Sequence, residues 1–168
     1  MEEIEAKVLE VDPEELEEKL GSIGAEKQWS SDIESEFFDF SDGSIEENGL
    51  LRVRSRKDKV FVTRKKEVSY DEAKVMEETE FEISDKRAFK DFLKSIGLEK
   101  VQESEKHRTK WTRGETEFVI DKIPEIPPLL EIESPTKEEM EKGFKDLGFT
   151  MEETVNWGAK KMFEEYDI

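Results

Sequence analysis

The chain opens with Glu3-Ile4-Glu5-Ala6-Lys7-Val8, which read at a period of two puts two carboxylates and an ammonium on one face and Ile4, Ala6 and Val8 on the other. The arrangement recurs at Leu51–Arg54, where Arg52 and Arg54 alternate with apolar residues. It recurs again at Glu78, Glu80 and Glu82, at Lys106, Arg108 and Lys110, and at Glu131 and Glu133. Charge is sorted by sign: carboxylates dominate the first, middle and last of these segments, cations the other two. An antiparallel sheet covered on one side would place ionised faces in water. Such a face has no reason to sort, whereas a site for a metal-bound polyanion needs both signs.

Glu3 and Glu5, with Glu131 and Glu133, would supply up to four carboxylates around one point if the first and last strands lie close. That is oxygen density for octahedral divalent ions; the plainer alternative is that each pair balances a nearby Lys or Arg. Lys7, Arg52, Arg54, Lys65, Lys106 and Arg108 give six cations on the same parity, Lys65 sharing its side with Phe61 and Thr63. Arginine forks match two phosphate oxygens at once, and lysine supplies a movable charge. Asp121 could orient a cation, ligate metal or accept a proton, and Glu80 is the member of its acidic trio expected to be functional. His107 alternates to the other face. No Walker-type glycine loop is present. The expected chemistry is phosphoryl or nucleotidyl transfer: water as attacker gives a triphosphatase, and a ribose 3′-hydroxyl attacking the α-phosphorus of ATP gives an adenylyl cyclase. A polyphosphate- or nucleotide-binding module without catalysis is the third reading.

Composition narrows the choice. At 168 residues, with 34% hydrophobic content, 11 Phe and 3 Trp, the chain suits one folded domain. A net charge of −18 repels nucleic acid and anionic membrane, so neither is an expected partner, while a small triphosphate would feel a local cationic pocket. There is no cysteine and only one histidine, which leaves carboxylates as metal ligands and Mg²⁺ or Mn²⁺ as the expected cofactor. The absence of an apolar run near ~18 residues or a basic leader points to a cytoplasmic protein.

These side chains need strands and helices to hold them. A first strand to about Val11 is followed by Asp12-Pro13-Glu14-Glu15, a helix start with capping-box spacing, and a helix bearing Leu16, Leu20 and Ile23. Residues 26 to 40 read as a long strand. Leu50–Arg56 and Val60–Lys65 form a hairpin about Asp58, and Glu67–Lys74 is a polar connection before a strand Val75–Ile83. Ser84 is expected to cap a second helix ending at Gly97. Strands Glu99–Trp111 and Glu115–Ile123 flank Arg113-Gly114, and a short strand Leu129–Glu133 follows a proline link. Ser134-Pro135 is expected to start a third helix, and Ala159–Tyr166 a last short one. Ser22-Ile23-Gly24-Ala25-Glu26-Lys27 is echoed by Ser95-Ile96-Gly97-Leu98-Glu99-Lys100, which suggests a duplication over about 1–73 and 74–134 within a single 1–168 domain with a helical tail. The expected fold is α+β: an eight-stranded antiparallel closed β-barrel with flanking helices, whose wet lumen lets opposite charges meet.

The ordered set Glu3-x-Glu5-x-Lys7, Arg52-x-Arg54, Lys65, Glu78-x-Glu80-x-Glu82, Lys106-x-Arg108, Asp121 and Glu131-x-Glu133 resembles the CYTH superfamily, the triphosphate tunnel metalloenzymes. Phe118–Lys122 and Pro127–Glu133 are similar to its small prokaryotic class IV adenylyl cyclase-like members. The resemblance implies metal ligation by Glu3, Glu5, Glu80, Glu131 and Glu133. It implies triphosphate binding by Lys7, Arg52, Arg54, Lys65, Lys106 and Arg108, and catalytic parts for Lys7, Glu80 and Asp121. The family includes cyclases, thiamine triphosphatases and inorganic triphosphatases; the resemblance favours a class IV adenylyl cyclase converting ATP to cyclic AMP and pyrophosphate, with a triphosphatase as the alternative, and homodimers are common in the family. Lys160 or Lys161 could close over substrate or sit on a surface helix.

Overall fold

Alternating apolar and polar residues build β1 (Glu2–Val8), β2 (Glu26–Asp39), β3 (Gly49–Arg56), β4 (Lys59–Ser69), β5 (Val75–Ile83), β6 (Glu99–Arg113), β7 (Thr116–Lys122) and β8 (Leu129–Ser134). Four α-helices accompany them among the described residues: α1 (Pro13–Ser22), α2 (Lys86–Ser95), α3 (Lys137–Asp146) and α4 (Ala159–Glu165). The structure, a computed structural model, describes residues 2–69 and 75–168, apart from the side chains of Glu2, Glu3, Ser69 and Val75. None of its helices is long and apolar enough to cross a membrane.

The strands form one antiparallel sheet in the order β1-β5-β4-β3-β2-β6-β7-β8, and β1 pairs with β8 as well as with β5. Pairing is shortest between β1 and β5, from Glu2–Glu77 to Ile4–Val75. The β1–β8 register sets Glu5 opposite Glu133 and Lys7 opposite Glu131, so the first and last strands do meet.

Apolar residues on the outer face are covered by the helices. Ala6, Val8, Phe118, Ile120, Leu130 and Ile132 pack with Leu16 and Leu20 of α1 and with Met140 and Phe144 of α3. Val53, Val62 and Phe38 pack with Leu93 of α2. Helix α3 comes close because position 143 is glycine: a Cβ there would lie 3.2 Å from the Phe118 ring and 3.3 Å from Ile132. Phe144, with no exposed surface, is the anchor of this contact. Phe144→Ala is expected to lower stability by about 3–5 kcal/mol through lost burial and the cavity left behind, read as a shifted urea midpoint at unchanged slope.

Several boundaries differ from the expected ones for local reasons. Strand β1 ends at Val8, because Glu10 turns the chain with φ 57°. Asp12 caps α1 by accepting from the Glu14 and Glu15 amides, but no capping box closes, since Glu15 pairs with Lys19 at 2.6 Å. Asp85 rather than Ser84 caps α2, accepting from the Ala88 amide at 2.9 Å. Pro135 keeps Ser134 extended at the end of β8, so α3 starts at Lys137, two residues after the proline, behind the cap Thr136. Residues Glu67, Val68 and Ser69 belong to β4, with Glu67 opposite Met76, and the rest of the expected connection lies outside the described residues. The two echoed phrases close α1 and α2 alike: Gly24 and Gly97 take φ 78° and 94°, and the amides of Ala25 and Leu98 donate to Leu20 and Leu93.

Candidate functional site

Helices α1, α2 and α3 cover one face of the sheet, and the charged residues turn to the other. In an antiparallel ladder directly opposed residues share a face. The pairs Ser35–Arg54, Phe37–Arg52, Arg108–Asp121, Lys7–Glu131 and Glu5–Glu133 therefore bring the charges of five strands, with Ser35 and Phe37 of β2, to one inner side. They line a cavity of about 200 Å³ together with Lys65 and Lys106. Gly49, at φ 141°, lets β3 approach the Lys65 backbone where a Cβ would collide with its carbonyl, which sets the height of Arg52 against Lys65.

Ligand oxygens of Glu5, Glu131 and Glu133 lie within 4.8 Å of one another. Three carboxylates without nitrogen or sulfur are a donor set that fits a hard divalent cation. Lys7 Nζ lies 2.8 Å from Glu131 and 3.3 Å from Glu5, and Lys65 Nζ lies 2.7 Å from Glu78 and 3.8 Å from Glu133. Burial opposes charge on Lys7, but Glu131 and Glu5 outweigh it and hold the ammonium's pKa above its ordinary value. Burial likewise opposes charge on Glu131, yet Lys7 and Arg108 keep its carboxyl well below the usual range. The same contest on Lys65 is won by Glu133, Glu5 and Glu78.

Asp121 is nearly fully buried and clamps two cations. It accepts from Arg108 Nε at 2.7 Å and Nη2 at 2.6 Å, and from Lys106 Nζ at 2.7 Å. Against burial, Arg108 and Lys106 hold its carboxyl low, so Asp121 stays ionised. Of the three roles open to it from sequence, the geometry is that of a residue orienting cations.

Arg52 and Arg54 differ from the other cations. Each has a buried Nε with no hydrogen-bond partner among the described residues. Burial, then Arg52 and Arg108, push the Arg54 pKa down to about 9, and burial with Arg108 depresses Arg52. An arginine keeps its proton in a protein, so these depressions reflect burial first and like-charge repulsion second, a penalty that an incoming anion would relieve.

Lys106 titrates within reach. Burial and Arg108 bring it down to about 8 despite Asp121 and Glu131. Its folded pKa lies below the unfolded value of about 10.4, so the unfolded chain binds more protons between those values, and this group's contribution to stability rises with pH across that window. Anion binding has the opposite sign. It needs the ammonium, so affinity for tripolyphosphate is expected to weaken above pH ~8, with proton uptake on binding near pH 8.5. Calorimetry in two buffers of different ionisation heat measures that uptake; equal apparent heats would refute it.

Other expected residues fall elsewhere. The Glu80 carboxylate accepts from Thr63 Oγ1 at 2.8 Å on an exposed stretch of β5, apart from the Glu5, Glu131 and Glu133 cluster. The Glu3 side chain lies outside the described residues. His107 does face outward, bonded to Asp32 at 2.7 Å and Ser30 at 2.8 Å. Lys160 and Lys161 do not line the cavity and pair with Glu46 and Glu165. The α4 residues that line the cavity are Ala159, Met162 and Phe163, with Met162 packed on Ile126 and Leu129. Sequence reading missed them; the apolar spacing Met162, Phe163 and Tyr166 was the available signal.

Fold and site together define an antiparallel β-protein that gathers acids and bases on one inner surface. The CYTH domain matches residues 1–161, and the chain belongs to that family of metal-dependent, triphosphate-acting enzymes. Among solved structures it is similar to the PH1012 protein of Pyrococcus horikoshii OT3, at 21% identity and TM-score 0.79 over 95% of this chain and 98% of that one. An adenylate-cyclase candidate from Vibrio parahaemolyticus is 18% identical at TM-score 0.80, covering 96% and 97% of the two chains. HpAC1 from Hippeastrum, described as an adenylyl cyclase candidate with a dominant triphosphatase activity, is 15% identical at TM-score 0.66, covering 98% and 95%. No curated protein matches the chain in sequence.

Proposed function

We propose that the protein is a divalent-metal-dependent triphosphatase whose sheet closes as a tunnel around the phosphate chain. The observation that carries this reading is the half-buried pair Arg52 and Arg54, mutually repelling and with buried Nε atoms that have no partner among the described residues, facing a cavity that also holds a three-carboxylate cluster. The size of that cavity, about 200 Å³, suits a chain of phosphates better than a nucleoside.

Glu5, Glu131 and Glu133, with Glu3 as a further candidate, would hold Mg²⁺ or Mn²⁺, while the charge of Glu80 acts on Arg52 and Arg54. When bound, the ion supplies Lewis-acid stabilisation of charge on phosphoryl oxygens. Arg52, Arg54 and Arg108 hold the non-bridging oxygens, and Asp121 fixes the direction of Arg108 and Lys106. Lys7 and Lys65, kept protonated by the neighbouring acids, neutralise charge and do not serve as bases. Water attacks the terminal phosphorus in line, the new P–O bond forms as the bridging P–O bond breaks, its electron pair leaves on pyrophosphate, and the water's proton passes to a phosphate oxygen or to solvent.

A second reading, cyclisation of ATP to cyclic AMP and pyrophosphate, draws support from a further cavity of about 570 Å³ that adjoins the first. The two share Ser35, Ser104, Glu105, Ile123 and Phe163, and the larger one has room for a nucleoside. The triphosphatase activity described for HpAC1 favours hydrolysis. Incubation with tripolyphosphate, thiamine triphosphate or ATP and Mn²⁺, followed by product chromatography, separates the readings. Orthophosphate is expected from at least one substrate; cyclic AMP as the main product of ATP would replace the hydrolytic reading with the cyclase.

A further inference from the structure

The cavity has two ends, and only one is formed by α4. At the other, Trp29, Arg56 and Phe61 stand on the same inner face: Trp29 is opposite Lys110, Arg56 follows Arg52 and Arg54 at the strand period, and Phe61 is opposite Arg54. The Arg56 guanidinium carbon lies 4.1 Å from the Trp29 ring centroid and 5.1 Å from that of Phe61. The three half-buried side chains thus make one stack across β2, β3 and β4. Arg52, Arg54 and Arg108 line the cavity, whereas none of the stacked residues does. Met162 and Phe163 bound the opposite end.

We propose that the Trp29–Arg56–Phe61 stack is the floor of the site and, with α4 as its roof, selects phosphate chains by length. This rests on the triphosphate-binding reading above. Three linked phosphates reach Arg52, Arg54 and Arg108 without touching the floor. A fourth must displace Arg56 from between two aromatic rings, exchanging a cation held on both faces for a strained contact. Trp29 and Phe61 are specificity-determining residues that exclude the longer chain, and neither belongs to the set that grips the shorter one.

Calorimetric titration in metal-free buffer, where neither chain is turned over, tests this with tripolyphosphate and tetrapolyphosphate. Wild-type protein is expected to bind the shorter chain at least ~10-fold more tightly. Trp29→Ala is expected to bring the two within ~3-fold by gaining affinity for tetrapolyphosphate, with tripolyphosphate affinity kept within ~3-fold. Circular dichroism checks the fold, and Phe61→Leu replaces Trp29→Ala should the latter not fold. Equal binding of both chains by the wild type, binding of neither, or an undiminished preference in the folded variant overturns the inference. Parallel turnover assays with Mn²⁺ keep the two readings apart: length-selective binding without hydrolysis retains the floor and sinks the catalytic assignment.

Discussion

Glu133→Gln is expected to lower metal-dependent turnover by at least ~10³-fold, about 4 kcal/mol of lost transition-state stabilisation. The amide keeps the shape of the side chain but removes one of the three charges that come within 4.8 Å of one another. Glu133 suits the experiment better than Glu131, whose carboxylate lies 2.8 Å from Lys7 and 3.5 Å from Arg108 and whose loss would leave Lys7 to Glu5 and Arg108 to Asp121, breaking a buried ion pair at a cost of about 3–5 kcal/mol. Binding of tripolyphosphate without metal is a second readout with the opposite sign. Removing an acid beside Lys65 leaves that affinity unchanged or improves it, whereas a damaged fold would lose it. Retention of more than a tenth of wild-type turnover at saturating Mn²⁺ would contradict the role given to this cluster.

Arg54→Met is expected to move activity and stability in opposite directions. Burial and the neighbouring Arg52 and Arg108 depress the Arg54 pKa to about 9, so the native state carries a repulsion that the unfolded chain does not. An apolar side chain of similar length should raise stability by about 1 kcal/mol or more. The same change removes a fork that binds two phosphate oxygens, worth about 2–3 kcal/mol, and lowers kcat/KM by roughly 10²-fold. Urea denaturation beside steady-state kinetics decides the matter. A destabilised variant, or one with full activity, would show that the arginine serves the fold rather than an anion.

Individual residues show how much of this was legible in the sequence. Period-two alternation assigned Glu5, Lys7, Arg52, Arg54, Lys65, Lys106, Arg108, Asp121, Glu131 and Glu133 to one face, and the pairing registers put them there. The same parity made Glu80 look equivalent to Glu5, yet it lies apart, because parity fixes a face and says nothing about height along the sheet. Trp29 escaped notice for a related reason: the register shift between Lys27 and Trp29 is a property of pairing with β6, not of local pattern. In the tail, the lysines drew attention as charged residues, while the apolar Met162 and Phe163 reached the cavity.

The sequence by itself determined the eight strands, the sorting of charge onto one face, the exclusion of thiol and histidine chemistry and the family resemblance, since each follows from residue type and spacing along one segment. Only the tertiary structure decided that Glu5, Glu131 and Glu133 converge while Glu80 does not, that Asp121 is spent on Arg108 and Lys106, and that the Nε atoms of Arg52 and Arg54 have no partner among the described residues. Those are relations between strands far apart in the chain. They depend on register and on which opposite charge lies nearest in a confined space, where an ion pair formed with one neighbour is withheld from another.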